Sequence, residues 1–275
     1  MSEIDFHSQD KVAETLIIPL YFRAKESQRP DALIRDAKAV ELVERIDYDF
    51  SRIKFQDHDQ VGTVMRNREF DRLVRDFLPR SPGAVVVHIG CGLGTRFERV
   101  DDGEVEWFDL DLPEVIALRR RLIGEAAEGS HLLGCSVFEY GWMDALSEMN
   151  GRPFLFIAEG VFPYFPEAQV KRLVLALKER FPGAELVCDG MTPFFTWLHN
   201  VQLVFSKFNA RLHWGLKRGR DLETWGEDIR LLEEWFYFDR PEPRMGSSNW
   251  MRRFPLLAKS VGIFHYRLGQ RQASG

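Results

Sequence analysis

Cysteine is scarce in this chain. The three in 275 residues, Cys91, Cys135 and Cys188, are an odd number without metal-ligand spacing, which argues against a zinc site or a disulfide framework. Each lies at or near the end of an expected strand and reads as a small buried hydrophobe of a reducing compartment. Long apolar runs are missing too. None approaches the length of a membrane span, and the opening MSEIDFHSQD has neither the basic lead nor the apolar segment of a signal peptide. The expectation is a soluble, cytoplasmic protein that engages no membrane. There is no basic block either: 37 basic residues stand against 42 acidic ones, a net charge of -5, so an electrostatic nucleic-acid surface is disfavoured. The longest basic run, Arg119 to Arg121, reads as the solvated end of a helix, where cations suit the dipole. No internal repeat or low-complexity linker divides the chain, and its length suits one large α/β domain with decorations.

What is present is concentrated in AVVVHIGCGLGTRFERVDDGEVEWFDLDLP, residues 84–113. The valine-rich run 84–89 suits a strand covered on both faces. Gly90, Gly92 and Gly94 follow at once, where glycine lets a backbone turn sharply and approach a ligand closely. A second strand over 104–110 then delivers Asp109 and Asp111 about 20 residues after the glycines, the spacing at which a carboxylate can take ribose hydroxyls. A dinucleotide fingerprint would need its last glycine where Thr95 stands, and the helix over 95–99 is too short to present a long dipole to a pyrophosphate. Both points disfavour an NAD-dependent oxidoreductase and lean towards S-adenosylmethionine, which has no diphosphate.

Around this centre, strand and helix patterns alternate. Residues 10–25 place Ala13, Leu16, Ile17 and Leu20 on one helical face with Pro19 set to kink it; 29–46 repeat that behaviour after Pro30; 70–78 add a helix before Pro79. Downstream come a helix over 113–123, a strand over 131–137, a short helix over 141–148, a strand over 153–158, an amphipathic helix over 169–180 and a strand over 184–188. From Met191 the pattern changes to an aromatic crowd of helical spacing, Phe194, Phe195, Trp197, Phe205, Phe208 and Trp214, for which simple core is favoured over a substrate wall. A strand within 229–238, a helix over 249–261 and a strand over 262–268 complete the chain. The fold class is α/β, a mostly parallel sheet of about seven strands with helices on both faces. Its parts are a helical N-terminal cap (1–80), a cofactor-binding core (84–190), an aromatic insertion or lid (191–230) and the C-terminal strands and helix (231–275).

HIGCGLGTRF, WFDLDLPEVIALRR, CSVFEYGWMDAL and IAEGVFPYF, in this order and spacing, resemble the leucine carboxyl methyltransferase family, and within it the bacterial polyketide-synthesis O-methyltransferases of the tetracenomycin type. The resemblance runs from about residue 20 to 188 and fades in the C-terminal third. It implies a Rossmann-like class I fold and S-adenosylmethionine as cofactor. Gly90 and Gly92 match the family's cofactor turn; Asp111 matches the acid placed on the ribose hydroxyls, with Leu112 packed beside the adenine. Glu159 matches a glutamate at the α-ammonium end of the cofactor, and Arg66 an arginine that binds its carboxylate, a task suited to a bidentate guanidinium. Ser136 and Val137 fall where the family reads the adenine amine and ring, although relatives often have an acid at the first of these, with Glu139 a nearby substitute. A second departure is Gly94, where relatives usually have aspartate, so the turn is expected to be looser.

Methyl transfer from a sulfonium is an in-line displacement, in which the protein holds the acceptor oxygen behind the methyl group. A carboxylate acceptor needs no base, whereas a hydroxyl benefits from one, and by position the candidates are Tyr164, Asp189, His199 and His213, none with a motif that makes it catalytic. The expected function is O-methyl transfer to a small aromatic or polyketide-like acceptor; the alternative is a catalytically silent cofactor-binding scaffold.

Overall fold

The computed structural model describes residues 4–5, 11–52, 55–203, 211–238 and 241–270, with side chains undescribed for 4–5, 11–15, 52 and 202–203; Ala13, Phe205 and Phe208 therefore lie outside the described side chains. Its main sheet has seven strands: β1 (Val85–Ile89), β2 (Glu106–Asp111), β3 (Ser130–Gly134), β4 (Phe154–Ala158), β5 (Ala184–Met191), β6 (Ile229–Phe236) and β7 (Val261–Leu268). The order across the sheet is β3-β2-β1-β4-β5-β7-β6, parallel except for β7, which runs antiparallel to both β5 and β6. Strand order reverses between β1 and β4, which pair Val85 with Phe154 and Ile89 with Ala158. A crevice at such a reversal, beyond the carboxyl ends of the strands, is where an open parallel sheet binds ligands.

Both faces of β1 are covered, as its apolar run requires. Val85, Val87 and Ile89 join the core under α7 (Glu167–Arg180), whose Val170, Leu173, Val174 and Leu177 are buried, while Val86 packs with Phe70, Leu73, Val74 and Phe77 of α3 (Asp57–Phe77). The helix α5 (Pro113–Ile123) covers β2 and β3 and starts with proline at its first position, where no hydrogen-bonded N–H is lost.

The N-terminal helices differ from expectation in two places. The pattern over 29–46 forms a helix only from Ala37 (α2, Ala37–Arg45), because the Asp36 side chain accepts the Ala39 N–H at 2.9 Å and caps it there. Before the cap, the Leu33 and Asp36 N–H groups donate to Glu26 and Ser27 of α1 (Lys11–Ser27), which runs through Pro19 without ending. By contrast α3 starts thirteen residues earlier than its apolar period indicates, at Asp57 instead of Phe70. Its buried face carries Gln60, Asn67, Glu69 and Asp71 among the apolar residues, so the hydrophobic signal is diluted.

Two further elements are shorter than expected. Strand β3 stops at Gly134, since the Cys135 N–H still reaches the Asp111 carbonyl (2.9 Å) but residues 136–139 close a turn instead. The helix expected over 249–261 is broken: a 3-10 segment over Pro243–Arg253 bends at Gly246, Phe254 is extended, only Pro255–Ala258 is α-helical, and β7 begins at Val261. The aromatic crowd also divides. Trp214 is buried core, Trp197 is exposed, and Phe194 and Phe195 on α8 (Pro193–Leu203) line a cavity.

Candidate functional site

Two cavities open at the carboxyl ends of the strands. The smaller, about 350 Å³, lies over the turn that follows β1 and is lined by Gly90, Gly92, Arg23, Arg66, Arg96 and Glu159 among others. The larger, about 730 Å³, is walled by Phe194, Phe195, Leu198, Met191, Met251 and Trp250, with Asp189 and Tyr237 as polar groups beside Arg66 and with His199, His58 and Asp59 also on its lining. Arg66 lines both.

The turn is tight. Gly90 and Gly92 have φ of 66° and 51°, the left-handed region that glycine enters without steric cost, and a Cβ on Gly90 would lie 2.4 Å from a Val161 methyl. Gly94 does not loosen it, contrary to the expectation drawn from its missing acid. The Gly94 N–H donates to the Cys91 carbonyl at 2.8 Å, and a Cβ there would lie 2.8 Å from that same oxygen, so the turn as built admits no larger residue without a shift.

Arg119 supplies what holds the turn from below. Instead of ending a helix in solvent, it is 4% exposed, donates to the carbonyls of Gly92 and Gly94, and pairs with Asp109. Asp109 is 2% exposed and also accepts from Trp107 Nε1 at 2.9 Å. Burial alone would raise its pKa, but Arg119 and then His88 outweigh burial and hold it below the ordinary carboxylate value. Arg120 and Arg121 are exposed, as expected for the end of the helix.

Glu159, just past β4, is the hub of the smaller cavity. One oxygen accepts from Arg66 Nε at 2.9 Å and from Asn67 Nδ2 at 3.1 Å; the other pairs with Arg96. Burial opposes the charge, yet Arg96 and Arg66 overcome it and carry the carboxyl down to about 2. Arg96 also donates to Asp71, which in turn is held by Arg99; Arg99 reaches Asp36, and Asp36 binds Arg23 at 2.9 Å. Opposite charges thus alternate in one buried chain from the N-terminal helices to the cavity floor, which is how such groups tolerate low dielectric. Arg66 Nη1 continues it to Asp189 at 3.0 Å.

Of the residues singled out in the sequence, Arg66, Gly90, Gly92 and Glu159 meet around one cavity. Asp111 touches that group through its Oδ2, which accepts the Gly92 N–H at 2.8 Å, while Oδ1 accepts the Leu112 N–H at 2.8 Å. Burial raises its pKa, and the two backbone donors offset part of that rise. Leu112, Ser136 and Val137 do not line the small cavity; they follow the ends of β2 and β3, where Asp111 pairs with Gly134. Leu112 is 43% exposed, Ser136 Oγ accepts the Phe138 N–H, and the Val137 carbonyl accepts from Trp142 Nε1. Among the base candidates, Tyr164 lines the small cavity, Asp189 and His199 line the large one, and His213 lines neither. Asn67, Asp71, Arg96 and Tyr237 belong to the same cluster but carry no motif in the sequence. Asn67 and Asp71 are one helical turn apart on the face of α3 that carries Arg66, and Arg96 immediately follows the turn, so position alone was the available signal.

This strand order, a glycine turn after β1 and an acid at the end of β2 define a class I S-adenosylmethionine-dependent methyltransferase. The small cavity is lined by guanidinium groups and a carboxylate, the kinds of groups that pair with the carboxylate and α-ammonium of the cofactor's amino-acid end. Residues 17–178 match the leucine carboxyl methyltransferase family model, and the chain belongs to that family. It is 36% identical to the tetracenomycin polyketide synthesis O-methyltransferase TcmP of Streptomyces glaucescens, over 84% of each chain. It is 29% identical to the S-adenosyl-L-methionine-dependent methyltransferase dpfgK of Gibberella zeae, over 95% of this chain and 93% of that one. A solved structure from Thermobifida fusca shares the fold with a TM-score of 0.56 at 16% identity, covering 92% of this chain and 94% of that chain. No helix among the described residues is long and apolar enough to cross a membrane, and none of their His, Cys, Asp and Glu side chains form a metal-binding group.

Proposed function

We propose that the chain transfers a methyl group to an oxygen of a small, largely apolar, aromatic or polyketide-like acceptor. The observation that carries this reading is the pairing of a small charged cavity with a larger one walled by Phe194, Phe195, Trp250 and methionines, the two sharing Arg66. A cavity of about 730 Å³ with aromatic walls suits a fused-ring molecule. Similarity to a polyketide O-methyltransferase supports the same class of acceptor.

S-adenosylmethionine supplies an electrophilic methyl group on a sulfonium. Glu159 takes its α-ammonium, Arg66 its carboxylate, Asp111 the ribose hydroxyls, and Leu112, Ser136 and Val137 the adenine. The backbone of Gly90 and Gly92 lets the methionine part approach. The described residues of 1–80 act as a cap, 84–190 as the cofactor core and the described part of 191–230 as a lid over the acceptor, with Ile229–Phe236 and Val261–Leu268 completing the sheet.

Incubation with tritiated-methyl S-adenosylmethionine and a panel of hydroxylated and carboxylated fused-ring aromatics tests the reading, label on an acceptor oxygen being the expected result. Cofactor binding without label on any member of the panel would favour the silent scaffold. Asp111→Ala is expected to weaken S-adenosylhomocysteine by more than about tenfold, the scale of a lost charge-assisted hydrogen bond. Titration calorimetry that returned the wild-type affinity would remove the ribose role.

A further inference from the structure

Tyr237 follows β6 directly, and its N–H donates to the Val261 carbonyl at 3.2 Å, so the pairing of β6 with β7 continues past the strand end. Its ring is wedged. Trp235 lies 5.2 Å away between centroids at 55°, Val61 and Met65 of α3 share its apolar cluster, and Cε1 comes within 3.6 Å of where a Cβ on Gly62 would stand. A ring held between a strand and a helix carries its phenolic oxygen at a fixed place. That place is the wall of the large cavity, beside Arg66. Among the described residues none accepts the Tyr237 O–H, whereas Thr63 on the same wall spends its hydroxyl on the Asp59 carbonyl at 2.9 Å. A half-buried hydroxyl on a ring that cannot turn away calls for a partner that a ligand brings.

We infer that Tyr237 binds the methyl acceptor, its O–H donating to an oxygen of the group being methylated other than the oxygen that attacks. This rests on the O-methyltransferase reading above and adds a residue to its acceptor site. The choice of oxygen follows from the chemistry. A hydrogen bond donated to the attacking oxygen ties up the lone pair that displaces the sulfonium, while one donated to its neighbour fixes the group and leaves the nucleophile free. The second oxygen of a carboxylate serves, and so does a carbonyl beside a phenol. Burial pushes the Tyr237 pKa up; Arg66 opposes the rise, and Asp189 and Glu159 add to it, so the phenol keeps its proton and remains a donor through the neutral range. Ser248 also lines the cavity, but a serine hydroxyl rotates to suit its surroundings and fixes no direction by itself.

Calorimetry on the full chain saturated with S-adenosylhomocysteine tests this with 2-naphthoate and 2-ethylnaphthalene, which share a ring system and differ in their oxygens. Tyr237→Phe removes one oxygen and keeps the ring, and S-adenosylhomocysteine affinity within threefold of wild type verifies that the variant is folded. It is expected to bind 2-naphthoate about tenfold more weakly, the scale of a hydrogen bond to a charged group, and to bind 2-ethylnaphthalene within about twofold of wild type. A ring that only packs would affect both probes alike. Equal losses for the two probes, or an unchanged affinity for 2-naphthoate, overturns the inference and leaves the O-methyltransferase reading standing. Loss of S-adenosylhomocysteine binding in Tyr237→Phe would put the hydroxyl on the cofactor instead and overturn the inference as well. Wild type that holds S-adenosylhomocysteine but binds neither probe overturns the inference together with the acceptor role of the large cavity.

Discussion

Glu159→Gln is expected to weaken S-adenosylmethionine binding by about 10²- to 10³-fold, because a buried ionic contact is lost on both the ligand and the protein side. In the wild type the carboxylate is fixed by Arg66, Asn67 and Arg96, so it does not have to be ordered when the α-ammonium arrives. The glutamine keeps the shape and one acceptor but not the charge, and it leaves Asp71 as the carboxylate that pairs with Arg96. Calorimetry at neutral pH reads the effect. Affinity within threefold of wild type would show that the ammonium binds elsewhere. The same carboxyl gives a pH dependence. Its folded pKa, about 2, lies below the ordinary 4.5, so its stabilising effect is complete above that ordinary value and is lost as pH falls from 4.5 through 2. Glu185, held at about 2 by Arg80 and His265 against the cost of burial, acts in the same direction. Thermal melts should therefore decline on acidification below the mid-4 range, and a flat profile down to pH 3 would contradict both ion pairs.

The second large effect is on stability. Asp109→Ala should cost about 3–5 kcal/mol, since it leaves Arg119 buried without its carboxylate and Trp107 without its acceptor. At about 2–4 °C per kcal/mol for a chain of this size, the melting temperature should fall by roughly 10 °C. Asp109→Asn keeps the Trp107 hydrogen bond and should lose less. An Asp109→Ala melt within 2 °C of wild type would mean that Arg119 finds water or another partner. Neither substitution removes a group assigned to touch the cofactor, so weaker binding in Asp109→Asn would report a displaced turn.

How much of this was legible beforehand depended on whether a residue's role was local. The β1 run, the glycines and DLDLP are contiguous, and their arrangement is set by a strand, a turn and a parallel neighbour, so the centre of the fold followed from the order of residues. Glu159 and Arg66 are 93 residues apart, and only similarity to a family joined them before the structure placed them 2.9 Å apart. Arg119 shows the opposite failure. A triple arginine at a helix end reads as surface, yet Arg119 falls on the buried stripe of α5 with Val115 and Leu122 and faces Asp109, a placement its charge hides. The first half of α3 carries Val61, Val64 and Met65 at helical spacing, but Gln60, Gly62 and Asn67 share the buried face and interrupt the apolar pattern. The C-terminal third lacks both contiguous motif and family likeness, and there the expected helix over 249–261 gave way at Gly246 and Pro255.

Arg66 walls the small charged cavity on one side and the large aromatic cavity on the other, and its two carboxylate partners lie one in each. With cofactor and acceptor placed as proposed, the two do not associate independently. Whatever occupies the first cavity resets the electrostatic potential and the rotamer freedom of the second, and reciprocity requires that the acceptor change cofactor affinity by the same factor. A cofactor affinity that changes when the acceptor is bound is the expected signature. Titration calorimetry of S-adenosylhomocysteine with and without a saturating acceptor would read it, and equal affinities would show that the shared guanidinium transmits nothing.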